Sequence, residues 1–248
     1  MINLNKILKN GKAFFLAYDQ GLEHGPEDFN DKNVDPEYII DIARRGKFNA
    51  LIVQKGIAEK YSNVIKKKKI KLIVKLNGKT NLSQGEFISR QLCSVEEAIK
   101  LRAIAVGYTI YLGSKYESIM LGEFENIQRE AHSRGIPVIA WIYPPKKLSE
   151  KDRKEFMPYA ARTGLEIGAD IIKIKYNGNP KELAWAVKAA GKTKVVIAGG
   201  GKKDENSFLK QVKEIMNSGS AGMAVGRNVW QSKNPLEISE KLRRIILK

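Results

Sequence analysis

The chain has 248 residues, room for two small domains or for one α/β barrel of ordinary size. A hydrophobic fraction of 43%, no apolar stretch of spanning length, one cysteine and two histidines exclude a membrane-spanning helix, an internal disulfide, a Cys-based zinc site and a His-rich metal centre. The net charge of +17 favours anionic ligands such as phosphates and permits non-specific attraction to nucleic acid, but no basic motif interleaved with aromatics points to a specific nucleic-acid module.

In chain order one unit recurs: apolar strand, polar loop, amphipathic helix. The first predicted strand is Ala13–Tyr18, ending at Asp19, and a Gly/Pro-rich loop follows from Gly21 to Pro26. Asp35-Pro36 opens a helix with a side-chain cap and a proline in its first turn. The second strand is Ala50–Gln54, with a helix over Ala58–Ile65; the run Lys66–Lys69 behind it reads as a solvated loop. The third strand, Lys71–Leu76, is broken by Asn77-Gly78. Cys93 precedes a capping box, Ser94 with Glu97, and reads as a buried or semi-buried structural thiol.

The fourth strand covers Ala105–Tyr111, followed by a long helix from Lys115 to Arg134 that carries His132 as a surface residue. The fifth, Pro137–Tyr143, is stopped by Pro144-Pro145, and a helix from Ser149 to Ile167 leads to the sixth, Asp170–Tyr176. Pro180 starts the next helix, to Ala190. The seventh strand, Lys194–Ala198, enters Gly199-Gly200-Gly201, and a helix over Asp204–Asn217 follows. The eighth, Gly222–Val225, enters Gly226-Arg227, and the last helix covers Pro235–Leu247. Eight such units, with no linker or composition break, predict one (β/α)8 barrel domain over residues 1–248. A doubly wound open sheet is the alternative, without a cofactor fingerprint in its favour.

Such a barrel carries its site at the C-terminal strand ends. Those ends supply Asp19, Gln54, Lys75 with Asn77, Tyr108 with Tyr111, Trp141 with Tyr143, Lys173 with Lys175, and then glycines and Arg227. On the sixth strand Ile172, Ile174 and Tyr176 fall on one face, and Ile171, Lys173 and Lys175 on the other. Either these lysines are solvated at the strand end, or one is buried. A buried lysine beside a second cation loses its proton more readily and becomes an amine nucleophile of the Schiff-base kind. Periodicity does not choose between Lys173 and Lys175.

Gly199-Gly200-Gly201 offers backbone N–H groups without side-chain obstruction, and Gly226-Arg227 leads into a short extra helix that aims at an anion. These glycines read as a phosphate cradle rather than as tight turns alone. Amine, carboxylate, phenol and cradle together fit iminium chemistry on a phosphorylated ketone, with Tyr143 and Asp19 moving protons, and this chemistry requires no cofactor.

Several segments then resemble one family in register over nearly the whole chain. They are Ala17–Pro26, Val74–Thr80, Gly107–Tyr111, Trp141–Pro144, Lys173–Tyr176 and Ala224–Trp230, and the resemblance is to archaeal-type class I fructose-1,6-bisphosphate aldolases. The resemblance implies a TIM barrel that cleaves fructose 1,6-bisphosphate to dihydroxyacetone phosphate and glyceraldehyde 3-phosphate in glycolysis and gluconeogenesis. It implies Lys173 as the Schiff-base lysine, Tyr143 as proton donor and Asp19 as acid/base partner. It implies substrate contacts from His24, Asp28, Trp141, Lys175, Ala198, Gly199, Gly200, Gly226 and Arg227, with no metal. Lys175 is then expected to be the cation that keeps Lys173 neutral enough to attack.

The implied partner is a phosphorylated sugar, and the implied assembly a homo-oligomer, commonly a decamer. The stretch Met1–Lys6 lacks a signal-peptide core, so cytoplasmic location is expected, with neither membrane nor specific nucleic acid as partner. Two positions depart from the family pattern. Pro145, followed by Lys146 and Lys147, stands where an arginine is common, and Gly201 where a proline is common. Two other readings are a transaldolase-like Schiff-base enzyme of the same superfamily, acting in aromatic-precursor synthesis, and a basic nucleic-acid-binding barrel without catalysis.

Overall fold

The computed structural model describes residues 2–82, 86–145 and 150–248, the side chains of 150–154 excepted. Lys146, Lys147 and Ser149 lie outside the described residues. Eight parallel strands close into a barrel: β1 (Ala13–Ala17), β2 (Ala50–Gln54), β3 (Leu72–Lys75), β4 (Ala103–Tyr111), β5 (Val138–Tyr143), β6 (Ile171–Lys175), β7 (Lys194–Ala198) and β8 (Gly222–Val225). Closure comes where β1 pairs with both β2 and β8, which leaves no edge and replaces the open-sheet alternative.

Helices cover the outside, among them Pro36–Arg45, Glu117–Ser133, Glu150–Glu166, Pro180–Ala189, Glu205–Asn217 and Pro235–Ile246. Local chemistry starts them where the sequence predicts. Asp35 accepts from Glu37 N, and the Ser94–Glu97 capping box closes in both directions. Among the described residues, no helix is long and apolar enough to cross a membrane.

Three segments differ from expectation. The loop after β1 is helical, a turn over Gly21–His24 running into a 3-10 turn over Gly25–Asp28. The single helix expected over Ala58–Ile65 is two, Lys55–Lys60 and Ser62–Lys67, because Tyr61 leaves the helical region at φ −105°, ψ 15°. Asn77-Gly78 pairs antiparallel with Arg90-Gln91, a two-rung ribbon above β3.

Strand alternation divides the apolar residues into two layers. Phe15, Ile52, Ile73, Ile139, Ile171 and Val196 fill the barrel. Leu16, Val53, Val74, Ile172, Ile174 and Ile197 face the helices. Burying each of these is worth about 2 kcal/mol. The same parity, carried two or four residues further, places the functional side chains. Ala17 leads to Asp19, Ile73 to Lys75, Ile139 to Trp141 and Tyr143, and Ile171 to Lys173. The site is therefore the top layer of the inner core.

His132 is not the free surface residue the sequence suggested. Its Nε2 lies 2.8 Å from Asp170 Oδ2, an oxygen that also accepts from Val138 N at 2.8 Å. The imidazole thus joins the long helix to the start of β5 and β6. Cys93 is buried, as expected, and burial pushes its thiol up to about 11, so it is inert at neutral pH.

Candidate active site

Lys173 is 6% exposed, and its register neighbours are Trp141 on β5 and Val196 on β7. Its Nζ stands 5.0 Å from the centre of the Trp141 ring, so the indole floors the ammonium. That floor exists because residue 107 on β4 is glycine. A Cβ there would sit 1.2 Å from Trp141 Cζ3. The buried Trp141 Nε1 has no partner among the described residues and is left to a ligand.

Asp19 and Lys75, each 6% exposed, complete a buried charge cluster around this amine. Lys75 Nζ stands 3.4 Å from Asp19 Oδ2. Burial pulls Lys173 down to about 8; Asp19 and Glu23 oppose that, and Lys75 and then Lys175 add to it. Roughly a tenth of the amine is therefore free at pH 7, about 300 times the fraction of an ordinary lysine. Asp19 is held below the usual carboxylate range: burial raises it, but Lys173 and Lys75 outweigh burial. The site thus pairs a partly neutral nucleophile with an ionised carboxylate. The main cation acting on Lys173 is Lys75, not Lys175 as expected from the sequence. Lys175 is exposed at the strand end, with its Nζ 5.0 Å from the centre of the Tyr143 ring.

Tyr143 ends β5 beside Tyr111 of β4. Burial, reinforced by the negative charges of Asp19 and Glu23, raises the Tyr143 phenol well above its ordinary value. It keeps its proton at any working pH and is equipped to donate it. The Tyr111 hydroxyl donates to Glu23 Oε1 at 3.2 Å, an acidic rim contact opposite the lysines.

The end of the site that carries Arg227 is built from β7 and β8. Asn228 Nδ2 donates to Gly199 O and Gly201 O, and its Oδ1 accepts from Lys203 N, which ties the β7 loop to the short helix Arg227–Trp230. Gly200 turns at φ +73°, a conformation that suits glycine. The N–H of Gly199 is not available to a phosphate, because it donates to Ala224 O at 2.9 Å. Arg227 is steered by Asp28, whose Oδ1 takes its Nη1 at 3.2 Å while Oδ2 meets His24 Nδ1 at 2.6 Å. Asp28 therefore stands behind the cavity wall as a bridge between two cavity-lining groups, rather than on it.

These groups surround a cavity of about 1150 Å³. It is lined by Asp19, His24, Trp141, Tyr143, Lys173 and Lys175, with Ala198, Gly199, Gly200, Gly226 and Arg227 at the end formed by β7 and β8. Three predicted strand-end residues do not reach it. Gln54 donates to Asn77 O. Asn77 is fully buried and fixes Ser89 O, Thr109 O and Thr109 N. Tyr108 points to the helix layer and donates to Glu123. Sequence reading placed Lys75 at a strand end without giving it a role and left Glu23 and Lys79 out of the site, and all three line the cavity. For Lys75 the signal was present, a lysine ending the apolar run Leu72-Ile73-Val74 at inward parity.

Comparison with known proteins gives the same picture. The family model described as DeoC/LacD family aldolase matches residues 13–232. The protein named fructose-bisphosphate aldolase class 1 of Thermoproteus tenax is 48% identical over 242 residues, which cover 96% of this chain and 90% of that protein. A crystal structure of an archaeal fructose 1,6-bisphosphate aldolase superposes with a TM-score of 0.92 at 46% identity, covering 98% of this chain and 97% of that one. The structure of an archaeal fructose-1,6-bisphosphate aldolase with its catalytic lysine covalently bound to the carbinolamine intermediate superposes with a TM-score of 0.91 at 45% identity, covering 99% and 98%. The chain belongs to the DeoC/LacD family of aldolases.

Proposed function

We propose that the chain is a class I aldolase that reversibly cleaves fructose 1,6-bisphosphate to dihydroxyacetone phosphate and glyceraldehyde 3-phosphate, in glycolysis and gluconeogenesis. The observation that carries the reading is Lys173, a buried strand-end amine drawn to about 8 beside the ionised Asp19. Its free amine attacks the C2 ketone to give a carbinolamine, which loses water to an iminium. The C4 hydroxyl passes its proton to the ionised Asp19, the C3–C4 bond breaks to release glyceraldehyde 3-phosphate, and its electron pair flows into the iminium to give an enamine. Tyr143 protonates the enamine carbon, and water then releases dihydroxyacetone phosphate from Lys173. Asp19 shuttles protons as the Schiff base forms and breaks, and balances the iminium charge.

In this reading Arg227, His24 and the Gly200 and Gly226 backbone take one phosphate, with Ala198 and Gly199 walling that end of the cavity, while Lys175 and Trp141 contact the sugar. Asp28 acts through His24 and Arg227. The cavity lining carries Lys75, Lys79, Lys115, Lys173, Lys175 and Arg227 against Asp19, Glu23 and Glu86, an excess of cations that suits a bisphosphate. Pro145 stands where the family often has arginine, so Lys79 and Lys115 are the described cations at hand for the second phosphate. Supplying fructose 1,6-bisphosphate alone tests the reading. Free triose phosphates at steady turnover are expected; turnover only when a second aldehyde is added would favour the transaldolase-like alternative.

Residues 1–248 act as one catalytic barrel in the cytoplasm, as a homo-oligomer. Trp185 and Tyr159, 57% and 67% exposed on helices packed side by side, support assembly. Sedimentation velocity tests it: a decamer is the expected species, and a monomer at micromolar concentration would contradict assembly.

A further inference from the structure

We propose that the pole of the barrel opposite the active site binds the phosphodiester backbone of nucleic acid, without base readout. The chain's charge is unevenly placed. The N-terminal segment and helix-to-strand loops, 6–12, 44–49, 66–71, 100–102, 134–137, 166–170, 190–194 and 217–221, all lie at the N-terminal ends of the strands. They hold sixteen of the 44 Lys and Arg but only two of the 27 carboxylates, Glu166 and Asp170, and so carry +14 of the +17. The rest of the chain, with 28 cations against 25 carboxylates, is close to neutral.

Part of this has an ordinary cause, since cations favour the last turn of a helix. Arg45, Lys68 and Lys100 are also neutralised by Asp41 and Glu96. The cations beyond the helix ends have no such cause. Lys47, Lys69, Arg102, Lys192 and Lys194 are exposed, and none forms an ion pair among the described residues.

The backbone gives a second, independent observation. Each of the seven helix-to-strand loops turns through one residue with positive φ. Before β5, β6, β7 and β8 that residue is Gly135, Gly168, Gly191 and Gly219. Before β2, β3 and β4 it is Lys47 (φ 57°), Lys69 (φ 54°) and Arg102 (φ 65°). In three adjacent loops, then, a cation occupies a conformation that glycine takes more easily. Between the first two of these loops lies a cleft of about 260 Å³ that is lined by Arg44, Lys47, Lys69 and Lys71 and by no carboxylate.

The occupant follows from the chemistry. A second copy of this chain would present the same cations and be repelled. None of the large exposed hydrophobics belongs to these loops, so the pole has no group to insert into a lipid surface. Phe48, the aromatic in the cleft, is already stacked on Phe14 at 4.0 Å and is not free to stack on a base. A polyphosphate backbone held by charge alone fits all three facts.

The test uses the full chain and a fluorescein-labelled, mixed-sequence oligoribonucleotide, with anisotropy read over a salt series. The triple variant Lys47→Gly, Lys69→Gly, Arg102→Gly removes three cations where glycine suits the backbone, so its fold and aldolase rate are expected to persist. Its log–log salt slope is expected to be shallower by about 2, three contacts at about 0.7 each. A control triple on the helix flanks, Lys181→Gln, Lys210→Gln, Lys213→Gln, is expected to keep the wild-type slope. The proposal is overturned by absent RNA binding, by an equal loss in the control, by displacement with fructose 1,6-bisphosphate, or by binding to phosphatidylserine vesicles but not to RNA.

Discussion

Lys75 Nζ lies 3.4 Å from Asp19 Oδ2, and the two members of this buried pair act in opposite directions on Lys173, whose proton is loosened first of all by burial. Asp19 pulls a proton onto Lys173, and Lys75 pushes it off. Removing Lys75 leaves burial and the weaker push of Lys175 to oppose that pull. In Lys75→Gln the acid limb of kcat/KM is expected to move to higher pH, with activity at pH 7 down about tenfold. A profile that moves more in Lys175→Gln than in Lys75→Gln would return the role to the neighbour favoured by sequence alone.

The wild-type profile has a defined sign. The neutral amine is the nucleophile, so kcat/KM is expected to rise with pH through an inflection near the Lys173 value of about 8. A flat profile between pH 6 and about 9 would contradict a partly protonated Lys173.

The same shift has a cost in stability. Lys173 binds its proton more weakly folded than unfolded, so its contribution opposes folding below about pH 8 and is relieved as pH rises toward the unfolded value of 10.5. Lys173→Met is therefore expected to be inactive yet more stable at pH 7, by about 3 kcal/mol at most, with the advantage shrinking toward pH 9. Denaturant midpoints at the two pH values measure this. A less stable variant at pH 7 would indicate that Lys173 is needed to hold Asp19.

Gly107→Ala drives a methyl into the Trp141 ring. Displacing the indole is expected to destabilise the barrel by about 1–3 kcal/mol and to lower kcat more than tenfold, with circular dichroism retained. Near-normal kcat would show that the indole does not position the reacting groups.

Asp28→Asn leaves His24 and Arg227 in place but replaces the carboxylate that aims them with a neutral amide. A KM increase of about tenfold with little change in kcat is expected, the pattern of lost binding shared by ground and transition states. A fall in kcat at constant KM would mean that Asp28 acts in the chemistry instead.

Much of this was legible in the sequence because the barrel repeats a period-two code. Ile171 and Lys173 share a face, and so do Ile139, Trp141 and Tyr143; depth along that face turns core into site. What stayed hidden was tertiary. Lys173 and Lys175 share parity, and only register separates the residue beside Trp141 from the one at the rim. Asn77 follows the end of β3, but it ties loops together, and Tyr108 lies three residues inside β4 and faces the helices. His132 looked exposed because its partner, Asp170, lies 38 residues away. Lys75 was found at its strand end but given no role, because that role depends on Asp19, which arrives from another strand.

The central claim is that Lys173 forms the Schiff base. Borohydride reduction in the presence of dihydroxyacetone phosphate, followed by mass mapping of the digested chain, reads it directly. The predicted result is one stable adduct, on Lys173, that is absent in Lys173→Met. An adduct on Lys75 or Lys175, or no adduct in the wild-type protein, would contradict the account.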